Sequence, residues 1–197
     1  DEPEHGVVAT AYTWLSAGTF RVPLELLVDP LSIWMLLVVT GVGFLIHAYS
    51  VGYMAHDEHL RRFMAYLNLF VFSMLTLVLA GNLVLLLVGW GLVGMASYLL
   101  IGFWHDRPTA VAAAKKAFIV NAIGDVSIML GIFLIFRETG ALSFLDVFER
   151  LPAEVAQDSG MAYLICLLLL GGALAKSAQL PLHTWLPDAM EGPTPVS

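Results

Sequence analysis

Five stretches of this chain, at about residues 31–54, 61–80, 82–104, 111–136 and 161–180, are almost wholly apolar. Each approaches the roughly 20 residues that an α-helix needs to cross the hydrocarbon of a bilayer. Within hydrocarbon every backbone donor and acceptor must find a partner inside the chain, which leaves helices and closed barrels as the spanning structures. Continuous apolar runs of this length dictate helices, so the expected fold is an all-α membrane protein, a polytopic helical bundle. Composition agrees: hydrophobic residues make up 59% of the chain and charged residues 13%, against about 25% charged in soluble domains. Cys166 is single and lies in an apolar run, which supports neither a disulfide framework nor a metal cluster. The first residues, with Asp1, Glu2 and Glu4, lack the positive region of a signal peptide. A polar opening, and a stop at Ser197 just after a Pro-Thr-Pro break, read as a piece of a longer protein.

Residues 1–30 form a separate surface segment. Phe20, Val22, Leu24, Leu26 and Val28 nearly alternate with Arg21, Pro23, Glu25 and Leu27, after Ser16-Ala17-Gly18-Thr19. Near-alternation behind a glycine-containing turn predicts a short extracytoplasmic hairpin, with Pro23 restricting its second arm to an edge strand. Residues 31–197 form the transmembrane part. Asp29-Pro30 opens the first span, proline being favoured in a helix's first turn. Gly81-Asn82 makes a tight turn, and a sixth span is expected to begin near Trp185. In 137–160, Phe144, Val147, Phe148 and Leu151 at helical spacing predict a short amphipathic helix.

Lysine and arginine set the orientation. Arg61, Arg62, Arg107, Lys115 and Lys116 fall in connections on one side, which is expected to be cytoplasmic. The other side is acidic, with Glu25, Asp29, Glu138, Asp146, Glu149, Glu154 and Asp158.

Lys176 stands out chemically. It lies about 15 residues into the last apolar run, roughly 22 Å along it at 1.5 Å per residue, ahead of Pro181. Proline removes a backbone donor and clashes with the preceding turn, so a helix break near Pro181 is expected, leaving the Ser177 carbonyl without its usual partner. An ionisable group at membrane depth is expensive and marks an ion path. Burial disfavours the charged form of an amine, which makes Lys176 a candidate proton carrier; the alternative is a lysine that snorkels to the interface. Asp125, with Asn121 on the same face, is either an interhelical hydrogen-bonding group or a carboxylate on the same path. His183, beyond the break, fits a proton relay or a packing role. His47, with Tyr49 nearby, fits an interior histidine or a relay. No phosphate-binding loop, dinucleotide fingerprint, cysteine cluster or metal-spaced histidine pair occurs, so redox chemistry served by this chain belongs elsewhere.

These residues carry a resemblance. Lys176 to Ser197 resembles the seventh-helix signature of the antiporter-like L (chain 5) subunits of respiratory complex I, the proton-pumping NADH:quinone oxidoreductase. So do Thr40-Gly41-Val42-Gly43-Phe44-Leu45-Ile46-His47, Ser97-Tyr98-Leu99-Leu100-Ile101-Gly102-Phe103, and Ala114-Lys115-Lys116-Ala117-Phe118 with Gly124-Asp125. The match runs from about Asp29 to Ser197. The M and N subunits share part of it, and the large A subunit of multisubunit sodium/proton antiporters is the nearest competing family. The resemblance implies a partial antiporter-like domain with a broken seventh helix, Lys176 as the central protonatable lysine and Asp125 as a carboxylate near it. It implies a proton-translocating subunit of an oxidoreductase in the bacterial-type inner (plasma) membrane. Its expected partners are other complex I membrane subunits, the lipid bilayer and protons, with no nucleic acid. No cofactor is expected in this chain; FMN, iron–sulfur clusters and quinone belong to other subunits.

Two positions depart from that pattern. The family places a glutamate, the lysine's ion-pair partner, after the tryptophan of the third segment, where this chain has Trp90-Gly91-Leu92. Gly81 stands where relatives often carry aspartate. Without a carboxylate at 91, Lys176 loses an opposite charge that favours its protonated form. Asp125 can substitute if the helices bring it close. The remaining reading is a structural membrane-arm subunit whose pumping Gly91 impairs.

Overall fold

A computed structural model describes residues 6–18, 20–154 and 160–197. Asp1, Glu2 and Glu4, Thr19 of the expected turn, Asp158 and the side chain of Glu154 lie outside what is described. The chain begins with two antiparallel strands, β1 (Val7–Ala17) and β2 (Phe20–Val28), paired from Val7 opposite Val28 to Ala17 opposite Phe20. Six helices follow: α1 (Pro30–Tyr53), α2 (Leu60–Val78), α3 (Leu83–Ile101), α4 (Pro108–Thr139), α5 (Phe144–Glu154) and α6 (Gly160–Lys176).

Local chemistry sets the helix starts. Asp29 caps α1 reciprocally with Ser32: the Ser32 N–H donates to Asp29 Oδ1 at 2.7 Å, and the Asp29 N–H donates to Ser32 Oγ at 2.8 Å. Such a cap contributes about 1 kcal/mol. Asn82 caps α3 by accepting from the Leu85 N–H at 2.8 Å. Pro30 and Pro108 occupy first-turn positions, where the missing donor leaves no hydrogen bond unmade.

The connections gather at two ends. At one end β2 docks on the α2–α3 turn, with Leu27 N–H donating to Leu79 C=O at 2.9 Å and Gly81 N–H to Glu25 C=O at 3.0 Å. The α4–α5 turn closes on the same place, Phe144 N–H donating to Gly81 C=O at 3.1 Å. At the other end lie the α1–α2 and α3–α4 turns and the segment after α6. That is the partition of connections expected from the charge pattern. α5 is the expected amphipathic helix: Val147 is buried, Phe144 and Leu151 pack on the same core, and Phe148 faces out.

Among the described residues four helices, α1 to α4, are long and apolar enough to cross a membrane. The fifth expected span is shorter than its sequence implies, because α6 has 17 residues, about 25 Å of helix. It stops at Lys176, not near 180. Where a sixth span is expected to begin, Asp188–Glu191 and Thr194–Val196 are 3-10 turns.

The helix break has a different cause from the one expected. Ala178 adopts left-handed backbone, φ 49°. The Gln179 N–H reaches back to Leu174 C=O at 2.9 Å and the Ala178 N–H to Ala175 C=O at 3.3 Å. This is a Schellman closure, built on alanine where glycine is usual, at a cost of about 1–2 kcal/mol. The chain has left the helix before Pro181. The Ser177 carbonyl is not orphaned either, since it accepts from the Gln179 side-chain amide at 3.5 Å.

Candidate functional site

The site begins with small residues. Glycines and alanines let helices in lipid approach closely, where packing substitutes for a hydrophobic drive. On α4, a Cβ at Gly124 would collide with the Ala175 side chain and lie 3.4 Å from the Gly172 backbone. On α6, a Cβ at Gly172 would meet Ile128 at 2.9 Å and Gly124 C=O at 3.2 Å. Ser127 Oγ crosses the gap to donate to Leu168 C=O at 2.8 Å. The residues following Gly124 and Ala175 are Asp125 and Lys176, so the contact that the glycines permit also sets these two side chains together.

Lys176 Nζ lies 3.5 Å from Asp125 Oδ1, with side chains 18% and 30% exposed. α3 closes the site from the third direction. A Cβ at Gly94 would lie 2.8 Å from Lys176 Nζ and 3.8 Å from Asp125 Oδ2, so only glycine leaves room for the pair as it stands. The Trp90 ring centroid is 5.9 Å from Nζ, at the outer reach of a cation–π contact. Trp90 Nε1, Asp125 Oδ1 and Lys176 Nζ are all buried, and among the described residues none has a hydrogen-bonding partner outside this group. The ion pair is thus the main electrostatic support of each member. Removing one partner of a buried pair typically costs 3–5 kcal/mol, because the other charge is left uncompensated. Lys176 also occupies the last turn of α6, where the helix dipole favours a cation.

The segment beyond the break is fastened under this site. Trp185 Nε1 donates to Ala175 C=O at 3.1 Å, satisfying one of the helix-end carbonyls. Lys116 Nζ lies 2.7 Å from Asp188 Oδ2, and Thr109 Oγ1 donates to Glu191 Oε2 at 3.0 Å. Asp125 is thus close to Lys176, which is the condition under which it can substitute for a carboxylate at 91. Gly91 itself is exposed, and a Cβ there would meet nothing within 4 Å.

The structure does not bring the other expected residues to the pair. His183 is exposed, its backbone carbonyl accepting from Leu186 N–H at 3.2 Å. Pro181 is exposed in the turn beyond the break. Asn121 donates to Ala117 C=O of its own helix at 2.8 Å and makes no bridge to another helix. His47 sits apart on α1, Nδ1 at 2.7 Å from Gly43 C=O, beside a cavity of about 370 Å³ that Ser97 also lines. Sequence reasoning missed Gly94 and Trp90 as walls of the pair. The signal was present: both share one face of α3, four residues apart.

Comparison with known proteins bears on the same region. A protein-family model described as NADH:quinone oxidoreductase/Mrp antiporter, transmembrane, matches residues 80–197, and one described as NADH-ubiquinone oxidoreductase (complex I), chain 5 N-terminus, matches residues 14–64. NADH-quinone oxidoreductase subunit L of Mycobacterium tuberculosis (strain H37Rv) is 53% identical over all of this chain and 31% of that protein. The subunit of the same name from Escherichia coli (strain K12) is 53% identical over 94% of this chain and 30% of that protein. A chain in the structure of the Mrp complex from Dietzia sp. superimposes with a TM-score of 0.86 at 32% identity, over 97% of this chain and 20% of that one. The chain thus spans about 31% of the length of the first of these relatives. It is an integral, multi-pass membrane protein of the inner membrane. With a matched region of 118 residues (80 to 197) out of 197, the chain belongs to the NADH:quinone oxidoreductase/Mrp antiporter transmembrane family.

Proposed function

We propose that this chain is part of a proton-translocating membrane-arm subunit of an NADH:quinone oxidoreductase, and that Lys176 and Asp125 are its proton-carrying centre. The single observation behind this reading is the largely buried ion pair at 3.5 Å, held at a helix break, with no second carboxylate at ion-pair distance from Lys176 among the described residues. An amine and a carboxylate at this distance exist either as two charges or, with one proton moved, as two neutral groups. Displacing Lys176 from Asp125 changes which form is favoured, and so lets a conformational signal drive proton uptake and release. The subunit itself carries no redox group; FMN, iron–sulfur clusters and quinone act in other subunits. Neighbouring membrane subunits and the bilayer are its partners, and His183 relays protons after rearrangement of the exposed segment.

The test is proton movement per NADH oxidised in membrane vesicles containing Lys176→Ala. The expected result is assembly with quinone reduction retained and pumping lost; full pumping would overturn the assignment. The fold match to the Mrp complex favours a second reading, the A subunit of a sodium/proton antiporter. That reading predicts sodium-dependent proton exchange without NADH. A third reading, a structural subunit impaired by Gly91, predicts that Gly91→Glu raises pumping. The open space at Gly91 accommodates that side chain.

A further inference from the structure

At the end of the bundle opposite the hairpin, a cavity of about 310 Å³ lies between the start of α2, the end of α3 and the start of α4. Arg62, Tyr66, Tyr98 and His105 line it. Arg62 is the third residue of α2, so its guanidinium sits at the level where a spanning helix meets headgroups. One guanidinium nitrogen donates to Phe103 C=O at 3.1 Å, and the guanidinium carbon stacks 4.8 Å over the Phe103 ring. These contacts fix the fork. Nε is buried and has no partner. An unsatisfied donor on a permanent cation is costly to bury.

The charges around it leave it open to an anion. Among the described residues no carboxylate lies within ion-pair distance of Arg62 or Lys115. The acid whose charge Arg62 does influence, Asp57, already accepts from Trp104 Nε1 at 3.1 Å and His59 N–H at 2.8 Å. Tyr98 is a shared wall: on its other side lies a second cavity of about 220 Å³, lined by Lys115, Phe118 and Ile119. From there Phe118, Ile119, Ile123, Val126, Leu130 and Phe133 form an exposed apolar stripe along α4. A cationic notch at the membrane boundary, continuous with an apolar strip running toward the bilayer centre, has the polarity of a phospholipid and not of a soluble ion.

We propose that this pocket binds the phosphate of an anionic phospholipid, with the Arg62 guanidinium as its charged donor, Lys115 as a second cation, and the α4 stripe as the bed of an acyl chain. Basic pockets between helices near the cytoplasmic face are suited to such headgroups, and guanidinium geometry to phosphate oxygens. The site is independent of the Lys176–Asp125 pair.

The test uses the intact subunit in bilayer discs containing equal phosphatidylglycerol and phosphatidylcholine, released gently and weighed by native mass spectrometry. The wild type is expected to retain phosphatidylglycerol in preference to phosphatidylcholine. Arg62→Gln is expected to lower that retention about tenfold, and Arg61→Gln, an exposed neighbour outside the cavity, to leave it unchanged. Helical circular dichroism checks that Arg62→Gln is folded. If it is not, the wild-type headgroup preference decides, and equal retention of the two lipids overturns the proposal. Equal retention by folded Arg62→Gln and wild type also overturns it. Inorganic phosphate at millimolar concentration is added in a parallel arm. Displacement of the retained lipid by phosphate alone would make this a soluble-anion site and overturn the lipid assignment; persistence of the lipid supports it.

Discussion

Among the described residues, Asp125 and Glu25 are two carboxylates drawn away from the surface, and of the two Asp125 has a cation beside it. Asp125 faces Lys176 at 3.5 Å where α3, α4 and α6 meet. Glu25, on the hairpin, is 6% exposed, packed against Gly81, and has a buried oxygen without a partner. Burial holds the Glu25 carboxyl above the ordinary carboxylate range, against the pull of the polar side chains of Asn82 and Ser143, and the charge of Asp146 pushes the same way as burial. The difference is instructive. At the hairpin end burial shifts an acid without a cation toward its neutral form, and the residue serves packing. In the bundle an acid is matched by a base on another helix, so the proton has two places to reside. The first arrangement suits a joint between hairpin and bundle; the second suits the proton-carrying role proposed for the pair.

The largest expected effects fall on the paired site. Asp125→Asn removes the counter-charge with little change of shape, and proton translocation is expected to fall roughly 100-fold, the scale of losing a positioned acid or base. Vesicle acidification measures it, and unchanged pumping would end the comparison with Glu25. Gly124→Ala puts a methyl group into Ala175, where backbone and a short side chain cannot yield. It is expected to destabilise by about 1–3 kcal/mol, read as a lower unfolding temperature in detergent.

Gly94→Ala sharpens the contrast further. The added methyl meets only the end of the flexible Lys176 side chain. Stability should change by less than about 1 kcal/mol, while pumping drops because Nζ is displaced from Asp125. Gly91→Ala, pointing into open space, should leave pumping alone and stiffen the helix by up to about 1 kcal/mol. Equal pumping by the two variants would show that the wall at 94 does not position the lysine.

The unpaired acid gives a smaller, pH-dependent effect. A carboxyl whose folded-state affinity for protons exceeds its unfolded one contributes stability that is complete at acid pH and lost as pH rises through its raised folded value. Glu25→Gln should therefore stabilise by about 1 kcal/mol near neutrality and by less in acid. The smallest effect belongs to Asp57. Hydrogen bonds from Trp104 and the His59 N–H hold its carboxyl below its ordinary value, so its contribution is present near neutrality and lost as pH falls through the lowered folded value. Asp57→Asn should cost about 0.5 kcal/mol at neutral pH. Thermal unfolding at both pH extremes separates the two signs.

Much of this fold was legible because a bilayer leaves few options. Apolar length located α1 to α4, and Asp29-Pro30 and Gly81-Asn82 marked their starts and turns through local hydrogen bonding that sequence displays directly. The end of α6 was not legible. Pro181 is a visible helix breaker, but the break is made by Ala178 in left-handed backbone, a conformation that alanine's sequence context does not announce. Lys176 and Asp125 were legible as anomalies, ionisable groups in apolar runs. Their meeting was implied by the family resemblance alone, since length and spacing do not show how far Gly124, Gly172 and Ala175 let two helices approach. Burial of Glu25 was missed because Val22 and Glu25 both turn inward, three residues apart, against the simple alternation of a strand.

The central claim is that Lys176 and Asp125 act as one unit. The direct measurement is proton translocation in Lys176→Ala, Asp125→Asn and the double variant, compared as a cycle. The double variant should be no worse than the more damaging single one, because either change already dissolves the pair. Losses that multiply across the two substitutions would mean that the groups work separately, and would contradict the account.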